Sequence, residues 1–151
     1  YDFCSMATPY KWRPALCQYL REQGFKVQDG LGNVAAYALG YNMAICTAES
    51  SDGQEFIKWR VFEAMAMGCT VLHTENKLMD RLFNRGEHYF WVQPEEDGNG
   101  PMRKVVDWRI RQIKENPSVY SVVANAARKL VLREHTYRNR AETILKDVGL
   151  T

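Results

Sequence analysis

With 151 residues, 46% of them hydrophobic and 25% charged, the chain has the make-up of one soluble globular domain and not of a disordered or low-complexity polymer. A formal charge of +2 is too small to argue on its own for nucleic acid or an anionic membrane surface as partner. No stretch approaches the roughly 20 consecutive apolar residues of a membrane span, and the N-terminus has no signal-peptide pattern. A cytoplasmic protein without membrane contact is the expectation. Cys4, Cys17, Cys46 and Cys69 lack both zinc-ligand spacing and disulfide density, so they are expected to be reduced and buried, and no metal is expected. The chain opens at Tyr1 inside an apolar run, which suggests one domain, residues 1–151, taken from a longer two-domain protein.

In chain order, "YDFCSMA" reads as a strand and "YKWRPALCQYLREQG" as an amphipathic helix closed by Gly24, with Pro14 in its first turn. "FKVQ" follows as a second strand, and "DGLGN" as a turn. "VAAYALGYN" reads as a short helix and "MAICTAE" as a third strand. In "SSDGQE" Ser51 stands three residues before Gln54, and Asp52 three before Glu55, as in a capping box. A helix is therefore predicted to start there, run to Met67 and stop at Gly68, before a strand over 69–73. "ENKLMDRLFNRG" predicts a helix ending at Gly86, and "HYFWVQ" a fifth strand. Beyond the polar stretch "PEEDGNGPM" come three helices, "RKVVDWRIRQIKENP", "SVYSVVANAARKLVLREHT" and "YRNRAETILKDVG". Strands alternating with helices predict an α/β fold: a Rossmann-like parallel sheet covered on both faces, with the C-terminal helices packed on it.

In such a sheet ligands gather beyond the carboxyl ends of the strands, where helix N-termini present unbonded amides. Two junctions fit, "TAESSDGQEF" and "LHTENKL". On one continuous helix, Glu55 and Glu63 would stand about 12 Å apart along the axis and about 80° apart in direction. That is too far for joint acid–base work on one atom but suits the two ends of an extended ligand. A carboxylate can accept both hydrogen bonds of a ribose diol, and Arg60 can face phosphate. The implied ligand is a nucleotide with a group attached. Each residue also has a plain account: Glu63 as a solvated helix carboxylate, Glu55 as a capping acid, Arg60 as a surface cation and His73 as a satisfied strand-end histidine. His88 and His135 are expected to be structural or at the surface.

"RVFEAMAMGCTVLHTENKLMDRLFNRGEHYFWV", Arg60 to Val92, and "ARKLVLREHTYRNRAETIL", Ala127 to Leu145, resemble the C-terminal, donor-binding half of two-domain GT-B glycosyltransferases. Within the group-one enzymes the resemblance is to the spore-maturation-glycosyltransferase-like branch, and it spans nearly the whole chain. The Glu-x7-Glu spacing of Glu55 and Glu63 is similar to the motif of the wider retaining group. The resemblance implies a nucleoside-diphosphate sugar, such as a UDP-sugar, as donor substrate, with no cofactor. Glu63 would hold the ribose hydroxyls, Glu55 would lie near the donor sugar or its phosphate, and Arg60 near the diphosphate. Thr74, Glu75 and Asn76 match the segment that wraps the diphosphate through its backbone amides. His73 is the candidate general acid, beside Glu55 in the catalytic pair. In one departure, "SDGQEF" lacks the usual glycine-containing stretch between the first glutamate, Glu55, and the helix. In another, only Lys11 and Arg13 stand where a phosphate-binding basic pair is usual.

The resemblance also implies an N-terminal GT-B domain, in the same chain or as a partner, that carries the acceptor site. The alternative is a non-catalytic nucleotide-binding or protein-interaction module derived from a GT-B half. A flavodoxin-like regulatory domain would want acidic residues after the first strand, where "CSMATPY" has none. The aromatic and basic mixtures "KWRPALC" and "DWRIRQIK" are expected to form solvated helix faces and not a nucleic-acid surface, unless the acceptor were itself a nucleic acid.

Overall fold

The computed structural model describes residues 2–5, 13–29, 43–46, 57–74, 76–92 and 103–150. Its elements in chain order are β1 (Phe3–Ser5), α1 (Arg13–Glu22), β2 (Val27–Asp29), β3 (Met43–Cys46), α2 (Trp59–Ala66), β4 (Thr70–Thr74), α3 (Lys77–Leu82), β5 (Phe90–Val92), α4 (Arg103–Glu115), α5 (Pro117–Glu134) and α6 (Tyr137–Asp147). The strands form one sheet in the order β2-β1-β3-β4-β5. Every neighbouring pair is parallel, with Ala44 opposite Val71 and His73 opposite Trp91. The predicted α/β architecture is observed.

Alternation along the strands sends successive side chains to opposite faces and so creates two cores. Cys4 and Val71 face Val61, Ala64 and Met65 of α2, with Met79, Phe83 and Tyr89. Phe3, Leu72, Phe90 and Val92 face Leu16, Cys17 and Leu20 of α1 and Val106 and Ile110 of α4. Helix α5 serves both, giving Tyr120 and Val123 to the second core and Ala127 and Val131 to the first. Polar ties fix it in place: the buried Thr70 hydroxyl donates to the Tyr120 carbonyl at 2.8 Å, and Arg128 Nε donates to the Ala66 carbonyl at 3.0 Å. Cys4, Cys17 and Cys69 are reduced and buried, as expected.

Two predicted helices have different bounds. Helix α2 begins at Trp59, not near Asp52: Ile57 and Lys58 precede it outside the helix, and Lys58 takes extended geometry at the N-cap with no side-chain cap. Ile57 packs, partly buried, against the first core. The helix is held by the 61/64/65 apolar stripe, and the one-helix geometry for Glu55 and Glu63 does not apply. Helix α3 ends at Leu82, four residues short of Gly86, because Phe83 turns extended (φ −139°, ψ 140°) and puts its ring in the core. Asp80 then gathers the next turn, accepting from Arg85 Nε at 2.7 Å and from the Tyr89 hydroxyl at 2.6 Å. The predicted helix over "VAAYALGYN", the capping box at 51–55 and the segment "PEEDGNGPM" lie outside the described residues.

Gly68, between α2 and β4, has φ +83°. A Cβ there would meet only Arg128 Cδ at 3.8 Å, an ordinary contact, so the backbone angle alone sets the penalty. Gly68→Ala is expected to destabilise the chain by about 1–2 kcal/mol, which thermal unfolding would register as a fall of a few degrees in Tm.

A cleft at the carboxyl end of the sheet

Helix α2 leaves the carboxyl side of β3 and returns to the start of β4, so its first turns lie at the carboxyl edge of the sheet. There Trp59, Phe62, Glu63 and Ala66 form one wall of a cleft of roughly 230 Å³. Val131, Leu132, His135, Thr136, Tyr137 and Arg140, from the end of α5 and the start of α6, form the other. The walls are mostly apolar. Two buried polar atoms that find no hydrogen-bond partner among the described residues belong to its lining, Glu63 Oε2 and His135 Nε2. Burial raises the Glu63 pKa above the usual carboxylate range, against the opposing pull of Arg60. An unsatisfied carboxylate oxygen in an apolar wall costs stability, and such atoms are rare in folded proteins.

The other sequence-derived candidates are placed as follows. Arg60 sits in the first turn of α2, half-buried, its guanidinium 5.5 Å from the Trp59 ring centroid and close enough to Glu63 to lower its pKa. His73 is fully buried on β4, its ring edge-on to Tyr89 at 6.5 Å, and is not among the residues lining the cleft. Asn76 is also fully buried; its Oδ1 caps α3 by accepting from Leu78 N at 2.8 Å and Met79 N at 3.1 Å. Two amides of that junction are therefore already engaged by a side chain. Thr74 ends β4. Glu55 and Glu75, and Lys11 of the basic pair, lie outside the described residues.

His135 takes a structural place, one of the two expected for it: its ring lies against Phe62 and Phe83, with centroids 5.6 and 5.3 Å away. Burial lowers its pKa; Glu134 opposes that shift, and Arg140 adds to it. Thr136 fixes the turn that carries it, accepting from Asn139 N at 3.2 Å while its own amide donates to Asn139 Oδ1 at 3.0 Å. The T-x-x-N spacing directly after His135 is the sequence signal for that box. Arg109, expected on a solvated face, is only 5% exposed. It is caged by Phe90, Trp91 and Trp108 at 4.6, 4.8 and 4.3 Å, and burial pulls its pKa down to about 10.

A larger cavity, roughly 310 Å³, opens at the opposite edge between Asp2, Phe25, Gly68, Thr70 and Tyr120. Its polar groups are engaged: Asp2 accepts from Lys26 N, the Thr70 hydroxyl donates to Tyr120 O, and the Tyr120 hydroxyl donates to Arg109 O. Size favours that cavity; unsatisfied chemistry favours the cleft at Glu63. Ligand recognition in a mostly apolar pocket depends on a few placed polar groups, so the second criterion is the stronger. Among the described residues no three of His, Cys, Asp and Glu are grouped to hold a metal ion, and no helix is long and apolar enough to cross a membrane.

A parallel sheet in this strand order, with a helix-walled cleft at its carboxyl edge, defines a Rossmann-like half-fold. The chain belongs to the glycosyl transferase-like family, which it matches over residues 30–146. No curated protein matches the sequence significantly. The fold is similar to that of HepE from Anabaena, crystallised in complex with UDP and glucose, with a TM-score of 0.70 at 14% identity over 100% of this chain and 48% of that one. Sucrose-phosphate synthase from Thermosynechococcus elongatus matches with a TM-score of 0.64 at 14% identity, over 91% of this chain and 34% of the synthase. The C-terminal domain of LpcC, a glycosyl transferase group 1 family protein from Francisella tularensis, matches with a TM-score of 0.57 at 15% identity, over 83% and 63% of the two chains. At these identities the likeness is one of fold, that of the C-terminal half of a GT-B glycosyltransferase. The chain spans about half the length of HepE.

Proposed function

We propose that this chain is the donor-binding half of a cytoplasmic glycosyltransferase and holds a nucleoside-diphosphate sugar at the carboxyl edge of its sheet. The observation that carries the reading is Glu63: a buried carboxylate oxygen without a partner among the described residues, in the wall of a cleft where this fold class binds nucleotides. A ribose diol donates the two hydrogen bonds that a carboxylate accepts, and so removes the penalty that burial imposes on Glu63. Arg60, on the same helix, is the cation for the diphosphate. As the bond from the sugar to the diphosphate breaks, negative charge grows on the departing phosphate oxygens, and a fixed guanidinium stabilises that charge more than it does the ground state. HepE, with the same fold, was crystallised with UDP and glucose, which supports a uridine-based donor here.

Retention of configuration is proposed from the spacing of Glu55 and Glu63. The acceptor would be held by an N-terminal GT-B half, in this chain's parent protein or in a partner, and donor binding needs no metal in this reading. Calorimetric titration with UDP, GDP and dTDP tests the reading: at least one is expected to bind, and Glu63→Ala to weaken that binding at least tenfold. Absence of binding by all three, or equal affinity in the variant, would remove the donor-site assignment. Binding without transfer by the parent protein would favour a non-catalytic nucleotide-binding module.

A further inference from the structure

We propose that His135 is a second ligand contact in this cleft and reads the polar edge of the nucleobase, while Glu63 holds the ribose; the inference rests on the donor-site reading. Three observations lead to it. First, His135 Nε2 is a buried nitrogen without a hydrogen-bond partner among the described residues, and its residue lines the same cleft as Glu63 Oε2, which likewise has none among them. Second, the imidazole is held in place: Phe62 and Phe83 flank it, and the Thr136–Asn139 capping box fixes the turn that carries it. An oriented side chain loses little entropy when it makes a hydrogen bond, so it can discriminate between ligands. Third, the cleft suits the uncharged part of a nucleotide. Its walls are mostly apolar, and its volume of roughly 230 Å³ lies below the range of about 300–1,000 Å³ that encloses whole drug-sized ligands. The base and ribose fit this description, and the diphosphate and sugar would extend outward past Arg60.

With Arg140 close by, and burial disfavouring the charged ring, imidazole stays neutral at physiological pH and offers one acceptor and one donor nitrogen. Glu134, Arg140 and Glu63 are the charged groups that face it from α5, α6 and α2.

The test uses His135→Phe, which keeps a flat ring packed against Phe62 and Phe83 and deletes Nε2, and His135→Gln, which keeps a polar amide. Affinity for whichever of UDP and GDP binds the unmodified chain is measured together with that for its 2′-deoxy form. His135→Phe is expected to weaken both forms by the same factor, roughly tenfold for one lost directional hydrogen bond in an apolar cleft, and His135→Gln to recover part of the loss. Glu63→Gln, in contrast, is expected to weaken the ribonucleotide much more than its 2′-deoxy form. If His135→Phe binds both as the unmodified chain does, or loses affinity for the ribonucleotide alone, the base-reading role is overturned while the Glu63 reading stands. If the unmodified chain binds neither nucleotide, both fall. Should His135→Phe fail to fold, undiminished binding by His135→Gln together with unchanged discrimination among bases overturns the proposal.

Discussion

Glu63→Gln is expected to weaken nucleotide binding by about tenfold or more while leaving the fold as stable as before, or more so. The two effects have one cause. Burial raises the Glu63 pKa in the folded chain above its unfolded value, so the folded state binds this proton more tightly than the unfolded state does. Such a group favours folding below the unfolded pKa, and that contribution is lost as pH rises toward the folded pKa. At neutral pH the ionised carboxylate is therefore a cost to the apo fold, and glutamine removes the charge while keeping the shape. Thermal unfolding of the two chains should show the advantage of glutamine at pH 7 and a smaller one near pH 4. A variant less stable at pH 7 would mean that the carboxylate has a structural partner, and the binding argument would lose its premise. A residue that weakens the fold and strengthens binding is the pattern expected of a functional site.

Phe83→Ala should have the largest effect on stability of any change discussed, about 3–5 kcal/mol. Phe83 is 2% exposed and packs its ring, tilted or edge-on, against Phe62, His88 and His135, so its loss leaves a cavity beneath the cleft wall. That is a large share of the roughly 5–15 kcal/mol by which domains are stable. Denaturant melts measure it directly, through a lower midpoint at unchanged slope. A cost below about 1 kcal/mol, outside the range of such truncations, would mean that the surrounding side chains collapse into the space. In that case the cleft wall is more plastic than its packing suggests.

The parallel sheet and α4 to α6 were legible because apolar periodicity and aromatic or β-branched runs are strong local signals. The start of α2 and the end of α3 were not, because each turned on local geometry that the pattern does not report: Lys58 is extended before α2, and Phe83 turns extended to put its ring in the core, which neither the pattern at 51–55 nor Gly86 signals. At the proposed site, Glu63 was singled out in the sequence by its spacing and its neighbours. His135 was not, since its burial depends on Phe62 and Phe83, distant in sequence and brought together by the fold. Arg109 was misread for the same reason: the helix pattern around it is amphipathic and basic, and only the packing of α4 on β5 closes Phe90 and Trp91 over its guanidinium.

The central claim concerns location: the nucleotide binds at Glu63, at the carboxyl edge, and not in the larger cavity at the other edge. Backbone amide shifts followed by NMR during titration with UDP test this most directly. The account predicts that the largest changes fall on residues 59–66 and 131–140, with Asp2, Phe25 and Tyr120 unmoved. Changes centred on Asp2, Phe25, Thr70 and Tyr120, with Glu63 and His135 silent, would contradict it.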